Sequence, residues 1–112
     1  KDYSGAIADS SKALEINPRN ADAYYNRGLA KIYLKDYSEV IADSSKAIEI
    51  NPKYAKAYIN RGLAKYNLKD YSGAISDYTK TLDINPKDAE AYNNRGIAKF
   101  YIDDKKGGCK DF

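Results

Sequence analysis

The chain repeats itself every 34 residues, and this period constrains its fold more than any other feature. An Asn-Pro pair, an Asn-Arg-Gly triplet and a Lys-Asp-Tyr triplet each occur three times at this spacing. When residues 21–54 are laid over 55–88, 21 of the 34 positions are identical and no insertion is needed. A period of this length indicates a stack of similar supersecondary units rather than a fold around one central core.

The period divides the 112 residues into two complete units and two partial ones. The complete units are 21–54 and 55–88. The opening fragment is 1–20, which corresponds to the second half of a unit, and the closing fragment is 89–112. We therefore expect residues 1–112 to form one array of repeats.

Each unit contains two helical segments of different character. In 21–34, apolar side chains recur on most sides of a helix, so this inner helix must be covered on most sides. In 38–50, apolar residues form one stripe about 120° wide, which is typical of an outer helix. The sequence therefore predicts an all-α fold in which inner and outer helices alternate.

Local signals mark the helix ends and the closest contacts. Asp36 stands at the N-cap of an outer helix, and Glu39 completes a capping-box pattern in that unit. The proline of each Asn-Pro pair ends the outer helix, because it disfavours helical geometry in the residue before it. Gly28, Gly62 and Gly96 lie inside helices, where glycine costs about 1 kcal/mol relative to alanine. We expect the partner helix to approach closely at these glycines.

Neither helix can bury its apolar surface alone, so the units must stack on one another. We expect a right-handed superhelical solenoid of antiparallel helix pairs, with the inner helices lining a concave face. Six positions correspond in the two complete units, and they carry Tyr, Gly, Val or Ala, Ser or Tyr, Ala or Thr, and Pro. They are Tyr24, Gly28, Val40, Ser44, Ala47 and Pro52, then Tyr58, Gly62, Ala74, Tyr78, Thr81 and Pro86. The fragments supply Ala6, Ser10, Ala13 and Pro18, and Tyr92, Gly96, Gly108 and Phe112.

This pattern resembles that of the tetratricopeptide-repeat (TPR) family, whose units are 34-residue helix–turn–helix pairs. Two positions depart from it in every unit. Arginine stands where the family usually has leucine, and lysine where it often has tyrosine. These residues are Arg27, Arg61 and Arg95, and Lys31, Lys65 and Lys99. We expect their aliphatic stems to pack while their charges reach water.

The arginines recur together with aspartates that share one position of the outer helices, namely Asp9, Asp43, Asp77 and Asp111. Because a guanidinium matches a carboxylate bidentately, we favour an Arg–Asp ladder between helices. The alternative hypothesis is that the arginines recognise an anionic ligand.

Composition excludes several classes of function. The chain has no His, and its single cysteine, Cys109, permits no internal disulfide and no multi-cysteine metal site. We predict no catalytic residue, no metal and no cofactor, and interpret Cys109 as a packing residue. The net charge of +3 is evenly spread, and no run of eighteen apolar residues occurs. Neither a nucleic-acid nor a membrane partner is therefore expected.

The helical positions of the residues predict which side chains line the concave groove. The side of the inner helices away from the glycines presents Tyr25, Leu29 and Tyr33, then Ile59, Leu63 and Asn67, then Asn93, Ile97 and Tyr101. Asn26, Asn60 and Asn94 flank them as a ladder. A row of amides can bind an extended peptide backbone regardless of its sequence, and the resemblance implies a peptide ligand at these positions. Alternatively, Leu29, Leu63 and Ile97 pack one inner helix against the next.

One TPR subclass holds the acidic tails of chaperones in a carboxylate clamp. By resemblance, a clamp would need basic residues at Tyr25, Glu90 and Asn94, and asparagine at Leu29 and Asn60. Only Asn60 matches, and Glu90 would repel a carboxylate. We therefore do not expect a chaperone-tail adaptor of this type.

We interpret the chain as a protein–protein interaction scaffold that holds a peptide or helix in its groove. Two alternatives stay open. Both ends should expose stacking surface, so the chain could be a self-assembling structural repeat, and we expect head-to-tail association. The chain begins with Lys1 rather than Met, so it could also be the regulatory module of a larger protein.

Overall fold

Six α-helices follow one another along the chain, and the described residues contain no strand. The computed structural model describes the backbone of residues 2–110 and the side chains of residues 2–103. The helices are α1 (Tyr3–Ile16), α2 (Ala21–Tyr33), α3 (Tyr37–Ile50), α4 (Ala55–Asn67), α5 (Tyr71–Ile84) and α6 (Ala89–Lys110). This confirms the all-α prediction, with α1, α3 and α5 as outer helices and α2, α4 and α6 as inner helices. Within the described range, no helix combines the length and apolar character needed to cross a membrane.

Each outer helix ends at an isoleucine that precedes an Asn-Pro pair. The asparagines Asn17, Asn51 and Asn85 are the C-caps, with φ between −130° and −138°. Proline pushes the residue before it out of the helical region, which explains this geometry. The side-chain oxygen of each asparagine accepts a hydrogen bond from the backbone N–H two residues further on. The same residues thus close each loop in the same way.

The start of α3 differs from the starts of the other outer helices. At α5, the N-cap Asp70 accepts a hydrogen bond of 3.0 Å from the N–H of Gly73, and α1 begins in the same way. Asp36 makes no such bond, so the capping box predicted at Asp36 and Glu39 is wrong. The Asp70 carboxylate lies where a Cβ on Gly73 would stand, and Glu39 carries a Cβ at this position. The Glu39 carboxylate instead pairs with Lys31 at 3.2 Å.

The third inner helix does not end where the first two end. Lys35 and Lys69 turn the chain after α2 and α4 with positive φ values of 61° and 69°. In contrast, α6 continues through Asp103 to Lys110, past the point where α2 and α4 end. Tyr71 opens α5 and stacks on Tyr101 at 5.5 Å. Lys105 holds the position of Tyr71 in the closing fragment, which therefore lacks this aromatic anchor.

Packing joins each helix to its neighbours in the chain and each inner helix to the next inner helix. In the part of the chain that the structure describes, α2 contacts α4 and α4 contacts α6, whereas α1, α3 and α5 do not contact one another. The inner helices are therefore closer together, which places them on the concave side of the stack. The body is elongated, with extents of 55 × 27 × 22 Å, as expected for a solenoid.

The predicted close approach at the glycines differs from unit to unit. Tyr78 of α5 is 1% exposed, and a Cβ on Gly62 would stand 2.7 Å from its Cε1 atom. A Cβ on Gly28 would find ordinary contact with the Cβ of Asp43, at 3.4 Å. On Gly96 it would meet no described atom within 4 Å. Close approach is thus confirmed at Gly62, looser at Gly28, and not seen at Gly96.

We predict that Gly62→Ala destabilises the protein although alanine is the better helix former. Alanine gains about 1 kcal/mol of helix propensity, but crowding a filled core costs about 1 to 3 kcal/mol. Because Tyr78 is fully buried it cannot move aside, so we expect a net loss of about 1 kcal/mol in the free energy of unfolding. Urea denaturation at low micromolar protein concentration measures it.

Gly96→Ala is the matched control, because the added methyl group meets no described atom within 4 Å. It should raise the free energy of unfolding by up to about 1 kcal/mol. Equal effects of the two substitutions would contradict the assigned packing.

Candidate functional site

Tyr25 of α2 packs beside the start of α4 on the concave side. The Tyr25 ring stacks on that of Tyr54, with centroids 5.3 Å apart, and the Tyr54 hydroxyl donates a hydrogen bond of 2.6 Å to Asp22. Burial raises the pKa of Tyr25, the amide of Asn60 opposes this shift, and the charge of Glu90 adds to it. Side chains of the first two inner helices therefore form one packed group around Tyr25.

The three asparagines predicted as a ladder have three different environments. Asn26 is exposed, Asn94 is half-buried, and Asn60 is 8% exposed. Asn60 lies on α4, which α2 covers on one side, whereas no described helix covers α2 on the equivalent side. The Nδ2 atom of Asn60 is buried and has no hydrogen-bond partner among the described atoms. The position of a unit in the stack therefore decides how exposed its asparagine is to solvent or to a ligand.

A small cavity brings together three of the predicted groove residues. It has a volume of about 60 Å³ and is lined by Leu63, Tyr66, Tyr78, Asn94 and Ile97. Ile97 is 40% exposed, so the cavity lies beside open surface. The space can hold a few water molecules or a short aliphatic side chain. Its walls are mainly apolar, with one amide to orient a ligand.

Three further predicted groove residues lie at the N-terminal end of the stack. Asn26, Leu29 and Tyr33 line an open cavity of about 440 Å³ between α1 and α2. Tyr33 also stacks on Tyr3 with centroids 4.8 Å apart. The structure does not bring these residues together with Leu63 and Ile97.

The remaining predicted groove residues have separate roles. Ile59 belongs to the buried core, and the Asn67 side chain donates a hydrogen bond of 2.9 Å to the carbonyl of Leu63 in its own helix. Tyr101 packs edge-on against Tyr66, at 5.9 Å. Asn93 is exposed and lines an open surface on α6.

Several tyrosines that shape the site were not among the predicted groove residues, namely Tyr3, Tyr54, Tyr66 and Tyr71. A signal for two of them was present. Tyr3 and Tyr71 each open an outer helix and stack on the tyrosine 30 residues later, at Tyr33 and Tyr101.

The arginines of the inner helices hold buried carboxylates of the outer helices. Arg27 Nε and Nη2 donate to the two carboxylate oxygens of Asp43, at 2.9 and 2.8 Å. Arg61 and Asp77 form the same pair at the same distances. These hydrogen bonds raise the pKa of both arginines. The predicted Arg–Asp ladder is confirmed for these two pairs, and both guanidinium groups already hold a carboxylate instead of a ligand.

Lys31 and Lys65 also turn inward, so the expectation that the cationic groups reach water is wrong for these two units, whereas Lys99 is exposed. Lys31 Nζ lies 3.0 Å from an oxygen of Asp43, and Lys65 Nζ lies 3.2 Å from an oxygen of Asp77. A buried carboxylate with two cations costs less to desolvate than one left alone. This attraction outweighs the hydration of the cations.

The third member of the ladder is incomplete in the described residues. Arg95 donates a hydrogen bond of 3.2 Å to Thr79, as Arg27 and Arg61 do to serines of the preceding outer helix. Asp111, its predicted carboxylate partner, lies outside the described residues, as does Phe112. The side chain of Cys109 is also outside the described range. In the described part of the chain, no cluster of three or more metal-ligating residues occurs.

Comparisons with known proteins agree with this geometry. A tetratricopeptide-repeat family model matches residues 21–54 and 55–88, and a second TPR model matches residues 1–32. The chain belongs to the tetratricopeptide-repeat family, and its fold is an all-α TPR solenoid, a type of protein-interaction module. No curated protein matches the chain.

Solved structures of TPR domains are similar over most of the chain. The Sgt2 TPR domain from Aspergillus fumigatus is 29% identical, with a TM-score of 0.92 over 97% of this chain and 74% of that one. The first TPR domain of human RPAP3 is 30% identical, with a TM-score of 0.90 over 94% and 83%. The first TPR of Spaghetti (RPAP3), bound to the HSP90 peptide SRMEEVD, is 30% identical, with a TM-score of 0.87 over 89% and 81%.

We predict that Asp77→Asn lowers the free energy of unfolding by about 2 to 3 kcal/mol. Removing one partner of a buried ion pair costs about 3 to 5 kcal/mol, and the partial exposure of Arg61 and Lys65 reduces this cost. Thermal and urea denaturation measure the loss.

Asp83→Asn provides the control on the same helix, since Asp83 is exposed. It should change the free energy of unfolding by less than about 0.5 kcal/mol. A similarly small effect of Asp77→Asn would show that the ladder does not stabilise the stack.

Proposed function

We propose that this chain is a binding scaffold without catalytic activity, and that it holds an extended peptide across the concave surface of α2, α4 and α6. The observation that carries the proposal is the cavity where Leu63, Asn94 and Ile97 meet beside open surface. Apolar walls with a few placed polar groups are typical of ligand sites. The even balance of charge favours no nucleic-acid or membrane partner.

In this proposal the ligand supplies one side chain and part of its backbone. A short aliphatic side chain enters the cavity between Leu63 and Ile97, and Asn94, which lines the cavity, offers hydrogen bonds to the peptide backbone. Asn60 and Leu63 are three residues apart, so they lie on the same side of α4. The amide of Asn60 acts on Tyr25 and so supports the surface beside the cavity. Because the helices are already packed, little conformational entropy is lost on binding.

The charge of this surface argues against an acidic chaperone tail as the ligand. The Spaghetti (RPAP3) domain is bound to the HSP90 peptide SRMEEVD. In this chain, Tyr25, Leu29, Glu90 and Asn94 occupy positions where a carboxylate clamp would need basic residues or asparagine. The charge of Glu90 already acts on Tyr25 on this surface. We therefore propose a ligand that is neutral or basic near Glu90.

We predict that the wild-type chain binds a fluorescent SRMEEVD peptide weakly, with a Kd of about 1 mM or higher. Glu90→Lys combined with Asn94→Arg should tighten binding at least about tenfold, because it replaces repulsion by attraction. Fluorescence anisotropy at low salt measures both Kd values. Lys80→Arg on the outer helix α5 controls for general effects of substitution. Tight binding by the wild-type chain would contradict the proposed ligand chemistry.

Binding of a peptide that was selected on this chain tests whether the cavity at Leu63 is the binding site. Peptides are selected on the wild-type chain from a random display library, and their Kd is measured by anisotropy. We predict that Asn60→Ala with Leu63→Ala weakens binding at least about tenfold, because both the amide and one wall of the cavity are lost. Circular dichroism and thermal denaturation confirm that the variant is folded.

The matched control is Asn26→Ala with Leu29→Ala. It removes the same residue types at the same helical positions of the preceding unit, where they line the end cavity instead. The control should bind with nearly wild-type affinity. Equal losses in the two double variants would refute the assignment of the site to the cavity at Leu63.

A further inference from the structure

Two tyrosine pairs each join an outer helix to the inner helix that follows it. Tyr3 stacks on Tyr33 with ring centroids 4.8 Å apart and an interplanar angle of 2°. Tyr71 stacks on Tyr101 at 5.5 Å and 12°. Tyr3 and Tyr33 line an open cavity together with the predicted groove residue Leu29, so this pair lies beside the groove. The second tyrosine of each pair follows the first by 30 residues.

The middle of the stack has the first tyrosine of this pair but not the second. Tyr37 opens α3 as Tyr3 and Tyr71 open α1 and α5, and the residue 30 positions after it is Asn67. Tyr37 is half-buried and stacks on no aromatic ring among the described residues. Tyr37 and Asn67 both belong to complete units, so an end of the chain does not explain the missing partner.

Asn67 contributes a hydrogen-bond acceptor at this position. Its Nδ2 group donates a hydrogen bond of 2.9 Å to the carbonyl of Leu63, which holds the amide in one orientation. Its side chain is exposed, and its Oδ1 atom accepts no hydrogen bond from the described residues. By equivalence with the two tyrosine pairs, Asn67 stands beside the Tyr37 ring. The position therefore suits a ligand group that both stacks and donates hydrogen bonds.

The N-cap aspartate of α3 adds a negative charge next to Tyr37. Asp2 and Asp70 each accept a backbone hydrogen bond at the start of their helix, whereas Asp36 makes no such bond. Asp36 is exposed, and neither Lys35 nor another described cation forms an ion pair with it. A cationic ligand group at Tyr37 would therefore be attracted to a carboxylate that has no partner among the described residues.

Arginine combines the properties that this position requires. Its planar guanidinium stacks on aromatic rings, and its N–H groups donate to oxygen atoms in fixed directions. Arg27 shows both contacts within the chain, because its guanidinium carbon lies 5.5 Å from the ring centroid of Tyr24 while it bonds Asp43. A lysine ammonium carries the same charge but lacks the planar surface.

The cavity at Leu63 lies next to this position along α4. Leu63 lines the cavity, and Asn67 follows it by about 6 Å along the helix axis. An extended peptide places every second side chain on the same face, about 6.6 Å apart. When one side chain enters the cavity, the side chain two residues away can therefore reach Tyr37.

We propose that Asp36, Tyr37 and Asn67 form an arginine subsite of the peptide-binding surface. A ligand arginine stacks on the Tyr37 ring, donates a hydrogen bond to Asn67 Oδ1 and pairs with the Asp36 carboxylate. This inference rests on the proposed function and adds the chemistry of the ligand, which is an aliphatic residue and an arginine separated by one residue. In the neighbouring units, the second tyrosine of each pair occupies the equivalent position.

Peptides selected on the wild-type chain from a random display library test the subsite. We expect the selected sequences to carry arginine two residues from an aliphatic residue. Replacing that arginine by methionine keeps a long side chain but removes the charge and the N–H groups. The methionine peptide should bind at least about tenfold more weakly than the arginine peptide, measured by fluorescence anisotropy at low salt.

Asn67→Tyr supplies the aromatic partner that the neighbouring units have. It should raise the midpoint of thermal unfolding by about 2 to 5 °C and weaken binding of the arginine peptide at least about tenfold. The methionine peptide should bind this variant and the wild type within about twofold, because it uses only the cavity. Asp36→Asn should weaken only the arginine peptide, by about threefold. Lys80→Tyr adds the same ring to the exposed surface of α5 and should leave both Kd values unchanged.

The outcomes separate failure of the subsite from failure of the peptide site. Selected peptides without arginine at this spacing, or equal binding of the arginine and methionine peptides, would overturn the subsite. So would equal effects of Asn67→Tyr on the two peptides. If Asn60→Ala with Leu63→Ala still weakens binding in these cases, the cavity at Leu63 remains the binding site. If no peptide is selected, the proposed function fails and the subsite fails with it.

Discussion

The stack depends on the bidentate hydrogen bonds between an arginine of the inner helix and an aspartate of the outer helix that follows it. Arg27 and Arg61 each hold a hydroxyl group of the outer helix before them and a buried carboxylate of the outer helix after them. One side chain thus joins three consecutive helices. The bidentate geometry fixes how the inner and outer helices align along their axes. The second cation, Lys31 or Lys65, lowers the free energy cost of burying the carboxylate. Polar contacts therefore specify the alignment of helices whose apolar surfaces would tolerate several.

The same stacking creates the binding surface. Because α2 lies on α4 and α4 lies on α6, the inner helices bury one side of each unit and leave the cavity at Leu63 and Ile97 beside open surface. Asn94 lines this cavity and is the amide that a ligand there can reach.

Much of the fold was predictable, because the repeated residues report on local geometry. The period, the alternation of helices and the bidentate pairs at Asp43 and Asp77 all follow from residue type and spacing. Two predictions failed because they left out one neighbouring side chain. The Asp36 carboxylate makes no cap bond, since Glu39 carries a Cβ where Gly73 leaves room for Asp70. The ammonium groups of Lys31 and Lys65 turn inward, since each lies beside a buried carboxylate.

The sequence by itself determined the repeating unit: the alternation of inner and outer helices in the two complete units, the Arg–Asp pairs that join them, and that no unit can stand alone. It could not decide which copies of a repeated residue are covered. Asn26, Asn60 and Asn94 are identical in the pattern, yet one is exposed, one buried and one half-buried. Only the tertiary structure made this distinction, because burial in a solenoid comes from the adjoining unit, and the number of adjoining units differs between the middle of the stack and its ends.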